Sequence, residues 1–426
     1  MSYVESARDS VETITPDSQV SQRIADFVRN RVDLESAPRE PSVSDFWQSV
    51  NATNTSLWLD SGDIGSIDSL WCQQFSGVTT NNTLLNEEVQ NGTYDDLVPE
   101  ISKLVGDVAD DMKVREIGFV LNLCHALKLV QQFRCNVSVE LHTEVAHDSE
   151  ATIAFARRCH EICPEFFIVK VPFTPSGLIA IKQLRDEGIR VNCTLGFSAR
   201  QNYVATALSR PSFVNVFLGR LNSYVADNQL GDGQGVGEKA TLASQAEVNT
   251  FSRGLPTTDT QQIAASLRDA SQLPKLAGVD VITMPTKVAK HAEQTLDQPW
   301  QSQLNDSPTV RLGDQVDPDT VRIEKLWDVS KEERNFVQKA ILLPPANAVE
   351  LKQMAADHLV EDLFPEMAAE EKQAIADDGK IPKHDRWQQR IVRGDLAIDS
   401  LMTLAGLATF ADSQSELDQR IRKHLR

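Results

Sequence analysis

Basic residues are in short supply in this chain. Lys and Arg number 42 against 61 Asp and Glu, a formal net charge of −19 over 426 residues. That balance argues against nucleic-acid binding through a broad basic face and against docking on an anionic membrane. Beyond those exclusions, charge of this sign reports solubility and identifies no partner. Long apolar runs are missing as well: none approaches the ~20 residues needed to span a bilayer. The opening residues, Met1 to Asp9, have neither the basic nor the apolar region of a signal peptide. No two cysteines stand in a C-x-x-C pair. Cys72, Cys124, Cys135, Cys159, Cys163 and Cys193 lie mostly in apolar surroundings and read as reduced core residues of a cytoplasmic protein. Without a secretory signal, triplets such as Asn91-Gly92-Thr93 and Asn136-Val137-Ser138 read as chance matches to the glycosylation pattern. There is no repeat of fixed period and no low-complexity tract.

What is present is an ordinary apolar content, 41%, arranged in a regular alternation. Residues 1–50 are polar and acidic, with one amphipathic helix expected near 17–33 on Val20, Ile24, Phe27 and Val28. Pro38 and Pro41 then mark a linker. Short β-prone runs follow at Ser56–Asp60, Gly77–Thr80, Val137–Leu141, Phe167–Val171, Val191–Leu195, Phe213–Phe217, Gln262–Ser266 and Val279–Thr283. Helical stretches lie between most of them, one of them (Ser176–Glu187) stopped by Gly188. Eight such units in roughly 230 residues fit an α/β fold of the (β/α)8 TIM-barrel type, which typically takes ~250. A doubly wound open sheet fits the same alternation. After Pro299 the chain turns helical and acidic again. The organisation expected is therefore an N-terminal extension over 1–50, a barrel over 55–295, and a helical C-terminal extension over 300–426 packing on it. The extensions fit packing layers, oligomer contacts or a lid, and a homo-oligomer stays open.

The most informative residue is Lys170, in the run Phe166-Phe167-Ile168-Val169-Lys170-Val171-Pro172. A lysine at the end of a buried strand is rare, because its charged form is costly to desolvate. Desolvation favours a neutral amine, which is what Schiff-base chemistry requires. The plainer account is a lysine that reaches past the strand end to pair with a carboxylate. The other strand ends shift the balance. In a (β/α)8 barrel the chemistry sits at the C-terminal ends of the strands, and here those ends carry Asp60, then Thr79-Thr80-Asn81, Glu140, Lys170, Asn192 and Thr194, Arg220 just beyond the sixth, and Ser266 with Arg268 at the seventh. Each type has work in a retro-aldol reaction. Lysine forms an iminium with a ketose; Asp60 is the candidate to take a hydroxyl proton as the carbon–carbon bond breaks. Glu140 is the candidate for moving protons during dehydration, through a water held by Thr194. Asn81 and Asn192 can orient hydroxyls, and Arg220 and Arg268 with Ser266 can hold a phosphate.

Taken in order, Leu57-Trp58-Leu59-Asp60-Ser61-Gly62-Asp63, Gly77-Val78-Thr79-Thr80-Asn81, Val137-Ser138-Val139-Glu140 with Ala146-His147-Asp148, Ile168-Val169-Lys170-Val171-Pro172, Val191-Asn192-Cys193-Thr194-Leu195-Gly196-Phe197-Ser198, Phe217-Leu218-Gly219-Arg220 and Ala265-Ser266-Leu267-Arg268 resemble the motifs of the transaldolase family across roughly 55–290. Leu396–Leu425 faintly resembles that family's closing helix. The resemblance implies a class I, Schiff-base enzyme with no metal and no cofactor. Such an enzyme passes a dihydroxyacetone unit from fructose 6-phosphate or sedoheptulose 7-phosphate to erythrose 4-phosphate or glyceraldehyde 3-phosphate in the pentose phosphate pathway. It further implies Lys170 as the Schiff-base lysine, Asp60 as acid/base, Glu140 and Thr194 as the proton relay, Asn81 and Asn192 on the hydroxyls, and Arg220, Ser266 and Arg268 on the phosphate. Two departures stand out. Asn215-Val216-Phe217 replaces Ser-Pro-Phe, which leaves Asn215 and Phe217 as the contacts near the dihydroxyacetone end, and Asn82 stands where the family commonly has proline.

Two other patterns are set aside. The run Gly231-Asp232-Gly233-Gln234-Gly235-Val236-Gly237 lacks the lysine and preceding strand of a phosphate loop and reads as a flexible barrel loop. His142 and His147 around Glu144 do not have zinc-site spacing. The competing functions are a fructose-6-phosphate aldolase using the same lysine, disfavoured by a carboxylate at Glu140 where such relatives tend to have glutamine, and a catalytically silent sugar-phosphate-binding or scaffold protein.

Overall fold

A computed structural model describes residues 18–36, 38, 40–254, 258–297 and 299–425. Eight strands close into a barrel in chain order: β1 (Ser56–Asp60), β2 (Phe75–Thr79), β3 (Asn136–Glu140), β4 (Phe167–Pro172), β5 (Val191–Thr194), β6 (Phe213–Phe217), β7 (Gln261–Ala265) and β8 (Val281–Pro285). All neighbours are parallel, and β8 pairs back onto β1 with Ser56 opposite Val281. That closure excludes the open doubly wound sheet. β8 starts two residues later than its β-prone run, because Val279 and Asp280 are held in a turn. Val279 N–H bonds the Leu276 carbonyl, and Asp280 N–H bonds the Gln245 side chain.

Alternation along each strand sorts the side chains into two cores. Leu57, Leu59, Val137, Val139, Val169 and Val171 point outward into one large core shared with the helices. The inward positions Trp58, Ile168, Phe213, Ile263, Ala265 and Val281 form a separate plug inside the barrel. Trp58 and Phe213 rings meet at 5.0 Å. Gly77 makes room for the indole: a Cβ there would lie 2.6 Å from its ring. One step of two residues up each strand, the same inward face becomes polar, with Asp60 above Trp58, Lys170 above Ile168 and Asn215 above Phe213. The apolar plug is thus the floor of a polar mouth.

The N-terminal helix Ser18–Arg29 buries Val20, Ile24, Ala25 and Val28. Within the stretch read as linker lies a short helix, Asp45–Asn51, capped by the Ser44 hydroxyl on Trp47 N–H and burying Trp47 and Val50. Beyond β8 the chain forms helices Lys331–Leu342, Ala348–Asp357, Ala369–Asp378 and His384–Arg393, then one long closing helix, Ile398–His424. These are tied to the barrel through Arg200. Its guanidinium, fully buried, meets Glu333 at 2.9 Å, Asp362 at 2.9 Å and Asp399 at 2.7 Å. The glycine run 231–237 is wedged rather than loose. Gly231 bridges Leu312, Gly237 N–H bonds the Asn222 side chain at 2.7 Å, and a Cβ at Gly233 would lie 2.2 Å from the Asn222 carbonyl. The His142–His147 stretch is a short 3-10 helix, Thr143–His147, capped by His142, whose Nδ1 accepts Glu144 N–H at 3.2 Å and whose Nε2 lies 3.4 Å from Asp418. No helix among the described residues is long and apolar enough to cross a membrane.

Candidate active site

The strand registers set Glu140, Lys170 and Asn192 side by side on β3, β4 and β5. All three are buried. Lys170 Nζ donates to the Thr80 carbonyl at 2.9 Å and lies 3.4 Å from Glu140 Oε2. Burial holds the Glu140 carboxyl above the ordinary carboxylate range, while Lys170 and the Asn82 backbone N–H pull it back down. A proline at position 82 would have no N–H to give. The Asn82 amide also donates to the Leu141 carbonyl at 3.3 Å, so this residue braces the end of β3 from two atoms.

Asp60 ends β1 opposite Thr79, whose hydroxyl lies 2.7 Å from Asp60 Oδ1 and 2.7 Å from the Thr283 hydroxyl. Burial raises the Asp60 pKa; the Thr79 bond and the charges of Lys170, Arg220 and Arg268 oppose the rise. Next to Lys170, Asn192 donates to the Ser138 hydroxyl at 3.1 Å and accepts from the Asn215 amide at 3.1 Å. Asn215 Oδ1 in turn receives Gly196 N–H at 3.2 Å. Thr194 is fully buried, and among the described residues its hydroxyl has no hydrogen-bond partner. An unpaired buried hydroxyl is costly, which marks it as a docking point for a water or a substrate group. Asn81 caps the helix Asn82–Gln90, its Oδ1 accepting Leu84 N–H at 3.0 Å, which leaves its NH2 group to the cavity.

The same mouth also carries arginines. Arg220 sits in the first turn of the helix Leu218–Asp227, is 6% exposed, and its Nη1 has no partner among the described residues. Burial, and then Arg268, push its guanidinium down to about 10, so it stays charged at neutral pH. Gly219 permits this placement: a Cβ there would lie 2.0 Å from the Ser266 carbonyl and 2.7 Å from Arg268. Ser266 itself has φ +65°, a left-handed conformation that turns the chain out of β7. Arg268 is exposed, with its backbone N–H fixed by Gln272 at 2.7 Å.

A cavity of about 450 Å³ joins these groups. Asp60, Asn81, Lys170, Asn192, Thr194, Asn215, Phe217, Arg220, Ser266 and Arg268 all line it. Glu140 stands behind the wall, against Lys170 and a small void of about 20 Å³. Among the lining residues that escaped the sequence reading are Phe410, Lys287 and Lys380. Phe410 of the closing helix lies 6.0 Å from Lys170 Nζ and 5.7 Å from the Arg220 guanidinium. Lys287 follows β8, whose end was placed two residues early; a later start would have exposed it. Lys380 comes from the loop after helix Ala369–Asp378, and no local pattern marks it.

A family model described as transaldolase/fructose-6-phosphate aldolase matches residues 57–337, running past the barrel into the first long helix of the C-terminal segment. The chain is 28% identical over 256 residues to a transaldolase of Acidobacterium capsulatum, covering 56% of this chain and 75% of the relative. It is 30% identical over 236 residues to a transaldolase of Xanthomonas euvesicatoria, covering 52% and 71%. A probable transaldolase of Thermoplasma volcanium is 29% identical over 238 residues, covering 55% and 86%.

Proposed function

The chain belongs to the transaldolase/fructose-6-phosphate aldolase family, and from that premise we propose that it transfers a dihydroxyacetone unit from a ketose phosphate to an aldose phosphate through a Schiff base on Lys170. The observation that carries the reading is the buried Lys170–Glu140 pair, whose lysine lines one cavity together with Arg220 and Arg268. An amine must be unprotonated to attack a carbonyl, and Glu140 at 3.4 Å is placed to take that proton and return it. Attack by Nζ on C2 gives a carbinolamine, and loss of its hydroxyl as water gives the iminium. Asp60 then accepts the C4 hydroxyl proton as the C3–C4 bond breaks. The electron pair flows into the iminium and the aldose phosphate leaves. The resulting enamine attacks the aldehyde of the acceptor, Asp60 returns the proton, and hydrolysis frees Lys170. In this scheme Thr194 holds the water of the dehydration step, Asn81, Asn192 and Asn215 orient the three-carbon unit, Phe217 packs beside it, and Arg220, Ser266 and Arg268 hold the phosphate. The six buried free thiols support a reducing, cytoplasmic setting.

The test is trapping. Fructose 6-phosphate followed by borohydride should leave a three-carbon adduct on Lys170, read by mass spectrometry. Lys170→Ala should abolish it while keeping the fold. No adduct on Lys170 would sink the Schiff-base reading. The carboxylate at Glu140 and the names of the relatives favour transfer over simple cleavage. Steady release of free dihydroxyacetone without any acceptor would reverse that preference.

A further inference from the structure

The C-terminal segment supplies one more cation to the mouth of the barrel. Lys380 lines the same cavity as Arg220, Ser266 and Arg268. Its loop is held in place from both sides. Gly379 ends the helix Ala369–Asp378 at φ +74°, a turn that glycine makes without a Cβ clash. Lys383 N–H then bonds the Asp378 carboxylate at 3.1 Å. On the barrel side Asn228 reads the loop backbone with both ends of its amide: Nδ2 donates to the Pro382 carbonyl at 3.0 Å, and Oδ1 accepts His384 N–H at 2.8 Å. The Tyr224 hydroxyl meets His384 Nδ1 at 2.8 Å, both residues buried. Tyr224 lies on, and Asn228 caps, the helix whose first turn carries Arg220. One short helix therefore fixes the distance between Arg220 and the Lys380 loop.

The charges around the loop need an explanation. The chain carries a large acid excess, yet among the described residues no salt bridge joins Lys380, Arg220 or Arg268 to a carboxylate. Partial burial, followed by the charges of Arg220 and Arg268, lowers the Lys380 pKa, with Glu87 opposing. Three converging cations without paired carboxylates, one with a buried unpartnered Nη1, suit a dianion.

We propose that Lys380 is a third cationic contact to the substrate phosphate, so that the C-terminal helical segment completes the phosphate end of the active site. The proposal rests on the reading of that end as a phosphate site. The test uses the full-length enzyme with fructose 6-phosphate as donor and inorganic phosphate as competing inhibitor. Lys380→Met should raise both KM and the phosphate inhibition constant by roughly three- to tenfold, the size of one charge-assisted contact at a partly exposed site. kcat should change little, and Lys380→Arg should recover most of the loss. Arg268→Ala, run alongside, separates two failures. If it raises KM and the inhibition constant while Lys380→Met moves neither, Lys380 is not a contact and the phosphate site stands. If neither substitution moves them, the phosphate assignment falls, and the Lys380 proposal with it.

Discussion

At the scale of single residues, the site turns on two carboxylates that burial pushes in the same direction and neighbours restrain differently. Glu140 is restrained by Lys170 and a backbone N–H, whereas Asp60 is restrained first by a single hydroxyl, Thr79. A donor to a carboxylate favours its ionised form. Removing it raises the pKa, and a base with a higher pKa is protonated, and idle, at a higher pH. Thr79→Val keeps the shape of the side chain and removes the donor. The acid limb of kcat/KM should therefore move to higher pH while the plateau changes less. A pH–rate profile in which the limb stays put, in a variant that folds normally, would remove Asp60 as the group responsible. Thr283, 2.7 Å from the Thr79 hydroxyl, would then lose its own partner without affecting rate.

At the scale of elements, the strands were legible and their neighbours less so. Barrel strands are covered on both faces, so they read as unbroken apolar runs that end in something polar. Lys170, Glu140 and Asp60 were visible for that reason, since a charged residue closing an apolar run has few structural explanations. Strand starts were less legible, as at β8, because pairing rather than β-propensity decides where a strand begins. Phe410 and Lys380 were invisible: each reaches the cavity from a helix or loop far along the chain, and nothing in its local sequence records that approach. The same is true of Arg200. In sequence it is an ordinary first-turn residue after Ser198, yet it is fully buried among Glu333, Asp362 and Asp399. Burial alone would lower its pKa, but the three carboxylates raise it well above its ordinary value. Arg200→Met would leave Asp399 without its cation in the interior and Glu333 and Asp362 with Lys325 alone, a loss of about 3–5 kcal/mol on the experience of broken buried ion pairs. Urea denaturation would measure it, and adding Asp399→Asn to the Met variant should return part of the loss. A cost below about 1 kcal/mol would mean that water replaces the guanidinium and the network does not bind the C-terminal segment to the barrel.

For the whole molecule, the question is which titrations govern stability in acid, and their signs differ. Asp60 and Glu140 have raised pKa values in the fold. Their contribution is present in full below the unfolded carboxylate values and is lost as pH rises through the folded ones. Glu333 and Asp362 are the reverse. Despite burial, Arg200 and Lys325 hold them below the usual range, so their contribution is lost as acid passes below it. His125 acts at higher pH than that second pair. It is buried in the helix Asp110–Phe133 with the Tyr94 hydroxyl 2.8 Å from Nδ1, and burial, then the charge of Lys128, push it down from 6.5 to about 4. Between those values the unfolded chain takes up a proton that the fold refuses. Stability from this group is thus complete above 6.5 and drains away as pH falls toward 4, by on the order of 3 kcal/mol. His125→Gln keeps a partner for Tyr94 and does not titrate. The carboxylates and the remaining histidines are common to both proteins, so subtracting one Tm–pH curve from the other isolates His125. The parent should lose its advantage over the variant progressively from pH 6.5 toward 4. Parallel curves would show that His125 takes its proton as readily in the fold as in the unfolded chain, which its burial against Tyr94 forbids unless that helix opens first.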